Sequence, residues 1–230
     1  ETKPDYCKKE HVDMMLSYGI TRIEIGVQSL QERVYKIVNR GHNYNDVTES
    51  FQISKDAGYK IVAHMMPGLP TMTPEGDIAD FKKLFSDPQL RPDMLKIYPS
   101  LVIENTPLYE KYKQGKYTPY SDEDMIKVLT EAKREVPKWV RIMRIQREIS
   151  PKEIIAGPKS GNLRQIVHQN LAKLGLSCKC IRCREAGLTN KTDGGDVKLT
   201  RINYDSSGGK EVFLSYEDKN ESIYGFLRLR

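Results

Sequence analysis

Three cysteines within six residues, Cys178, Cys180 and Cys183, are the tightest cluster of metal-capable side chains in the sequence. Three thiolates at that spacing suit a tetrahedral zinc whose fourth ligand comes from elsewhere, with His168 and Cys7 as candidates. An iron–sulfur site and reactive redox cysteines are the alternatives for the same thiols. With no signal-peptide pattern at the start, an odd, tight cluster argues for metal rather than disulfides. A second set is dispersed. Glu1, Gln28 and His64 fall at predicted strand ends, and Arg40 at the end of a predicted helix. Polar groups at the C-terminal strand ends are what a β/α barrel uses to hold a ligand. His64, between Ala63 and Met65, reads equally well as a core residue with its hydrogen bonds satisfied. Lys96 and Tyr98 alternate off one strand onto a common face, where an ammonium and a phenol could meet a phosphate, an acyl donor or a substrate base. Barrel-interior packing with solvated tips is the rival reading of that pair.

A third set is basic. Between Lys138 and Glu185 stand eleven Lys or Arg against three Glu, so this segment carries +8 in a chain of 230 residues that totals +6. Such concentration is the electrostatic footprint of a polyanion partner; a basic, solvated face is the bland alternative. No strongly amphipathic helix accompanies the charge, which disfavours a membrane surface. Arg141, Arg144 and Arg147 recur every third residue, and Lys159, Arg164, Lys179, Arg182 and Arg184 follow. Each phosphate contact from such side chains would steepen the dependence of log K on log salt by ~0.7 for a single strand. Trp139, Tyr117 and Tyr120 are the aromatic candidates for stacking on an unpaired base.

The elements that must position these residues follow from periodicity. Ile20–Val27 alternates as a strand, Gln28 and Ser29 make a polar turn, and a helix runs on to Val38. Helices are expected over about Lys8–Tyr18, Asn45–Ala57 and Glu75–Phe85, the last capped by Thr73 with Pro74 at its first position. Lys60–Met66 and Met94–Tyr98 read as strands. Strands alternating with helices of this length mean βα units around a parallel sheet, an α/β fold. From Ser100 the alternation changes: a short helix from Thr106, a long one capped by Ser121, a strand over Trp139–Gln146 and a helix over Gly161–Leu174. Residues 190–196 read as a flexible joint. Beyond it, Val197–Tyr204, Glu211–Tyr216 and Ile223–Leu229 read as antiparallel strands. No apolar run approaches the roughly 20 residues of a membrane span, so a soluble, cytoplasmic protein with no membrane partner is expected.

The motifs GVQS at 26–29 and NRGH at 39–42, with ETKPDYC before them and AHMMPGLP after, resemble the radical S-adenosylmethionine (SAM) enzymes. More closely, together with KIYPSLVIENTPLYEKYKQGKY, RIQREIS, GNLRQ and VFLSYEDKNESIYGFLRLR, they resemble the catalytic subunit of Elongator, of archaeal or bacterial type. The matches run in family order along essentially the whole chain. The resemblance implies a partial (β/α) radical SAM barrel over 1–137, a basic zinc-binding linker over 138–188, and the start of an acetyltransferase-like (GNAT-like) α+β domain over 189–230. It implies that Glu1, Gln28, Arg40 and His64 hold SAM, with Arg40 on the methionine carboxylate. Relatives often place Asp where His64 stands. It further implies a [4Fe–4S] cluster, acetyl-CoA as co-substrate, the tRNA anticodon stem-loop as target and further Elongator-type subunits as partners. The implied reaction is carboxymethylation at C5 of wobble uridine 34, with a SAM-derived 5′-deoxyadenosyl radical abstracting hydrogen from the acetyl group. Two departures stand out. No CxxxCxxC triad precedes Gln28, and no QxxGxG/A coenzyme loop is present, so a chain cut at both ends and inactive alone is expected. The rivals are a small-molecule radical enzyme of the coproporphyrinogen-oxidase type, a protein lysine acetyltransferase, and a zinc-stabilised RNA-binding module.

Overall fold

The computed structural model describes residues 1–146, 148–188 and 195–230. In chain order the elements are α1 (Lys9–Ser17), β1 (Arg22–Gln28), α2 (Glu32–Ile37), α3 (Tyr44–Asp56), β2 (Lys60–Met65), α4 (Pro74–Ser86), β3 (Met94–Ile97), β4 (Val102–Ile103), α5 (Pro107–Lys113), α6 (Asp122–Glu135), β5 (Arg141–Ile145), β6 (Ile154–Ala156), α7 (Leu163–Lys173), α8 (Ile181–Arg184), β7 (Lys198–Ser206), β8 (Gly209–Glu217) and β9 (Ile223–Leu229). Local chemistry sets several of these boundaries. Thr73 and Ser121 cap α4 and α6 through their hydroxyls, and Asn43 and Asp46 form a capping box on α3. Each such cap contributes about 1 kcal/mol.

Strands β1, β2, β3 and β5 form one parallel sheet in that order. Thr2 extends it beyond β1 by a parallel bridge to Ile25. Alternation divides the sheet into two faces. Ile23, Ile25, Val27, Ile61, Ala63, Met65, Leu95, Ile97, Ile142 and Ile145 join the helices' Phe51, Phe81, Leu84, Val128 and Leu129 in one core. The opposite face carries Glu24, Gly26, Gln28, His64 and Lys96. The register slips between Leu95–Ile142 and Lys96–Arg144, so Met143 bulges and Arg144 stands beside Lys96. The short strands β4 and β6 pair antiparallel in a separate ribbon that periodicity does not reveal.

The C-terminal strands β7–β9 form an antiparallel meander, as alternation predicts. It docks on the base of the parallel sheet through buried charge. Lys55 on α3 lies 3.1 Å from Asp93 and 3.2 Å from Glu211 on β8, while Arg228 on β9 lies 2.9 Å from Asp93. Trp139 stacks on Tyr204 of β7 with ring centroids 4.2 Å apart. The predicted joint at 190–196 lies largely outside the described residues. Among those residues, no helix is long and apolar enough to cross a membrane.

Candidate functional site

Parallel strands bring their C-terminal ends, and the polar face of the sheet, to one mouth. At the end of β1, Gln28 adopts a left-handed backbone with φ of +71°, a conformation that costs a non-glycine residue about 1–2 kcal/mol. Two residues earlier Gly26 has no side chain, and the space is used. A Cβ there would lie 3.0 Å from Arg40 Nη2, 3.4 Å from Gln28 Nε2 and 3.6 Å from the Thr2 carbonyl. Arg40 therefore reaches back from the end of α2 into the cradle above Gly26 and donates to the Gly26 carbonyl at 3.0 Å. Its Nε is buried and has no partner, and it forms no ion pair with any described residue. Burial pulls its pKa below the ordinary guanidinium range, with Asp5 opposing. A half-buried guanidinium with an open donor, beside the half-buried Gln28, suits a carboxylate ligand.

His64 on β2 is buried between two carboxylates. Its Nε2 is 2.7 Å from Glu24 and its Nδ1 3.2 Å from Glu1. Burial lowers its pKa, with Glu24 and Glu1 opposing. Of the two carboxylates, Glu24 is the nearer and the less exposed. Lys96 on β3 pairs with the same Glu24 oxygen. Burial pushes the Glu24 carboxyl up, but hydrogen bonds from Lys96 and His64 outweigh it and hold the group below the usual carboxylate range. Tyr98 meets the His64 ring edge-on at 5.4 Å. Thus Glu1, Gln28, Arg40, His64, Lys96 and Tyr98 share one mouth, centred on Glu24. Sequence reading missed Glu24, although it lies on the Gly26–Gln28 face two residues upstream. It also missed Asp77 and Asp80 of α4, which bind the turns at this rim.

The cysteines lie elsewhere, along the outer edge of β5. Ile181 N donates to the Val140 carbonyl at 2.9 Å, placing the segment near the start of that strand, opposite the mouth. The three Sγ atoms lie within 4.8 Å of one another. Hydrogen bonds from Cys178 and Cys183 hold Cys180 well below the usual thiol range. His168 Nε2 is 3.5 Å from Cys183 Sγ, whereas Cys7 Sγ contacts Ser54 Oγ at 3.3 Å and does not join the cluster. His168 as a residue is exposed, yet desolvation of its ring, then Lys133 and Arg164, push its pKa down to about 4. Three gathered thiols and a neutral imidazole are a donor set that fits zinc.

The basic residues divide. Arg144 and Lys159 line a groove of about 260 Å³; Arg164 and Arg182 line a larger cleft of about 560 Å³ beside the cysteines. Arg164 also donates to the Ile142 carbonyl. Arg141 is already paired with Glu185 at 2.7 Å, and Arg147 lies outside the described residues. Arg184 is a correction to the charge count: it is buried against Glu217 at 2.8 Å and cannot meet a phosphate. The aromatic trio is a second correction. Trp139 is stacked on Tyr204, while buried Tyr117 and Tyr120 donate their hydroxyls to the Gly68 carbonyl and to Asp77, each at 2.7 Å.

A β/α half-barrel with a polar mouth is the shape these features define. A family model described as the Radical SAM superfamily matches residues 1–84, and one for the Radical_SAM C-terminal domain matches residues 92–173. A tRNA uridine(34) acetyltransferase from Methanocaldococcus infernus is 46% identical over 100% of this chain and 44% of its own length. The Elongator complex protein 3 of Saccharomyces cerevisiae is 47% identical over 100% of this chain and 42% of its own length. A solved structure of the archaeal Methanocaldococcus infernus Elp3 with an N-terminal deletion, 46% identical, superimposes with a TM-score of 0.94 over 99% of this chain and 55% of that one. The chain belongs to the radical SAM superfamily, in the branch of Elongator complex protein 3 and the tRNA uridine(34) acetyltransferases. It spans about half the length of the relatives it matches.

Membership implies SAM and a [4Fe–4S] cluster. The mouth fits the first: Arg40 offers a buried donor without a partner, in a cradle that a Cβ at Gly26 would fill. The chain's own cysteines do not fit the second. Cys7 is buried on Ser54, and the other three lie away from the mouth.

Proposed function

We propose that this chain is the SAM-binding and tRNA-facing part of an enzyme that carboxymethylates C5 of wobble uridine 34 in tRNA, with acetyl-CoA as co-substrate. The observation that carries this reading is the meeting of Arg40 and Gln28 over Gly26, on the sheet face that also carries the His64–Glu1 pair, in a chain 46% identical throughout to a tRNA uridine(34) acetyltransferase. Bound SAM, reductively cleaved by one electron from a [4Fe–4S] cluster held outside this chain's cysteines and with methionine as the leaving group, would supply a 5′-deoxyadenosyl radical. The chain's own residues do the rest of the work at this mouth. Arg40 grips the methionine carboxylate, leaving the Gln28 amide and the Glu1 carboxylate for the ribose hydroxyls or the amino group. Lys96 and His64 both contact Glu24 and hold its carboxyl below the usual carboxylate range at the floor of the mouth. Lys96, held by Glu24, and Tyr98, packed edge-on against His64, line the mouth on the substrate side. Arg144 and Lys159, on the β5 side of the same rim, steer the anticodon stem-loop through its phosphates, with Arg164 and Arg182 adding a second contact. Cys178, Cys180, Cys183 and His168 would hold a structural zinc that pins the linker to β5.

The test uses the full-length protein, reconstituted with iron and sulfide and given SAM, acetyl-CoA and tRNA. Mass spectrometry of tRNA nucleosides is expected to show 5-carboxymethyluridine, and Arg144→Glu with Lys159→Glu to lower its yield while flattening the salt dependence of tRNA binding. An unmodified uridine 34 beside rapid SAM cleavage on a small molecule would contradict the reading.

A further inference from the structure

Helix α4 holds two buried carboxylates one turn apart, Asp77 and Asp80, 3% and 1% exposed. They face the two turns at the rim. Asp80 Oδ2 accepts from Ser29 Oγ at 2.7 Å and from Leu30 N at 2.8 Å, and its Oδ1 accepts from the Gln31 side-chain amide at 2.6 Å. Three consecutive residues after Gln28 are thereby tied to one carboxylate. Asp77 Oδ2 accepts from Gly68 N at 2.8 Å, and Tyr120 donates to the same oxygen. Gly68 has φ of +83°, and a Cβ on it would meet the Tyr120 ring at 3.3 Å. The turns also bond to each other, Met66 N donating to the Gln28 carbonyl at 2.8 Å. Gln28 keeps its left-handed backbone only because the surroundings over-determine it.

We propose that Asp77 and Asp80 are positioning residues for the SAM site: α4 grips the β1–α2 turn and the β2–α4 turn together and so sets the direction of the Gln28 amide. This rests on the reading of the mouth as the SAM site. Asp80 carries the larger share, because buried Ser29 Oγ and Leu30 N lose their acceptor if it goes. Asparagine at position 80 can preserve the pattern, its Oδ1 replacing Oδ2 and the Gln31 amide flipping to accept from the new NH2. Alanine cannot.

SAM affinity of the full-length protein is measured by equilibrium dialysis for Asp80→Ala, Asp80→Asn, Arg40→Ala and the exposed control Lys82→Gln, with melting temperature alongside. Asp80→Ala is expected to weaken SAM binding by about tenfold while Asp80→Asn stays within about threefold of the parent. Amide exchange at Leu30 is expected to quicken in Asp80→Ala. Ser29→Ala, which removes a single bond to the same carboxylate, carries the test if Asp80→Ala does not fold, with a weakening of about threefold expected. Parent-like SAM affinity in a folded Asp80→Ala, or in Ser29→Ala should that variant carry the test, or equal losses in Asp80→Ala and Asp80→Asn, would overturn the proposal. Parent-like affinity in Arg40→Ala would instead overturn the SAM site itself.

Discussion

Two clusters of buried charge sit at opposite ends of the parallel sheet, and they are built differently. At the base, Lys55, Asp93, Glu211 and Arg228 are each 9% exposed or less. Lys55 and Arg228 pair with Asp93, Lys55 and Arg230 pair with Glu211, and Asp93 also accepts from Ile61 N at 2.8 Å. At the mouth, Glu24 and Lys96 keep 16% and 18% of their side-chain surfaces in solvent. His64 lies between two carboxylates, and Arg40 has no carboxylate partner among the described residues. Taking ions from water is costly, and they are kept where they satisfy one another or where something else completes them. The base is matched within the chain and locks the meander to the barrel. At the mouth it is Arg40 that is left without a carboxylate partner and with a buried, unpartnered Nε, which is the property expected of a site for a carboxylate ligand.

The largest way to break this contrast is at the base. Asp93→Ala would leave Lys55 and Arg228 buried without their shared partner, with an expected loss of about 3–5 kcal/mol in denaturant unfolding. A loss below ~1 kcal/mol, that of an exposed pair, would remove the base cluster's structural role. Next comes the linker. Cys180→Ser should abolish bound zinc by elemental analysis and lower the melting temperature of the full-length protein, and a chelator should lower the parent alone. Retained zinc would move the metal off these thiols.

At the mouth the effects should be on binding rather than stability. Gly26→Ala puts a methyl 3.0 Å from Arg40 Nη2, and should weaken SAM binding by about tenfold with little change in melting temperature. A further effect concerns pH. Burial pushes the Asp77 carboxyl up to about 7, against hydrogen bonds from Tyr120 and Gly68 and with Asp80 adding to the rise. A raised carboxyl favours folding when protonated, so its contribution is present below about pH 4 and is lost as pH rises towards 7. The stability of the parent relative to Asp77→Asn should therefore fall between about pH 4 and pH 7; a flat difference would show that Asp77 does not titrate there.

Much of the frame was legible where short-range rules act. The Thr73–Pro74 and Ser121 caps, the alternation of β1 and the parallel βα order all needed only neighbours in sequence. What was not legible depended on distant partners. Strands β4 and β6, of two and three residues, exist because they meet each other. Counting charge treats Arg144 and Arg184 alike, yet one is exposed and the other is buried on Glu217 of a later strand. Glu24 gives no local sign that His64 and Lys96 will converge on it, and the bulge at Met143 decides which face Arg144 takes. At the mouth, position at element ends and motif resemblance both pointed to Gln28, Arg40 and His64; the structure shows Arg40 and Gln28 at Gly26 and His64 on the same face of the sheet, and their role with SAM is the proposal made above.

The most direct test of the central claim is a comparison of SAM with decarboxylated SAM on the full-length protein and its Arg40→Ala variant. If Arg40 holds the methionine carboxylate, the variant loses affinity for SAM by about tenfold or more and leaves the decarboxylated analogue almost unaffected. Equal losses for both ligands would mean that Arg40 serves the fold of the mouth and that the carboxylate is held elsewhere.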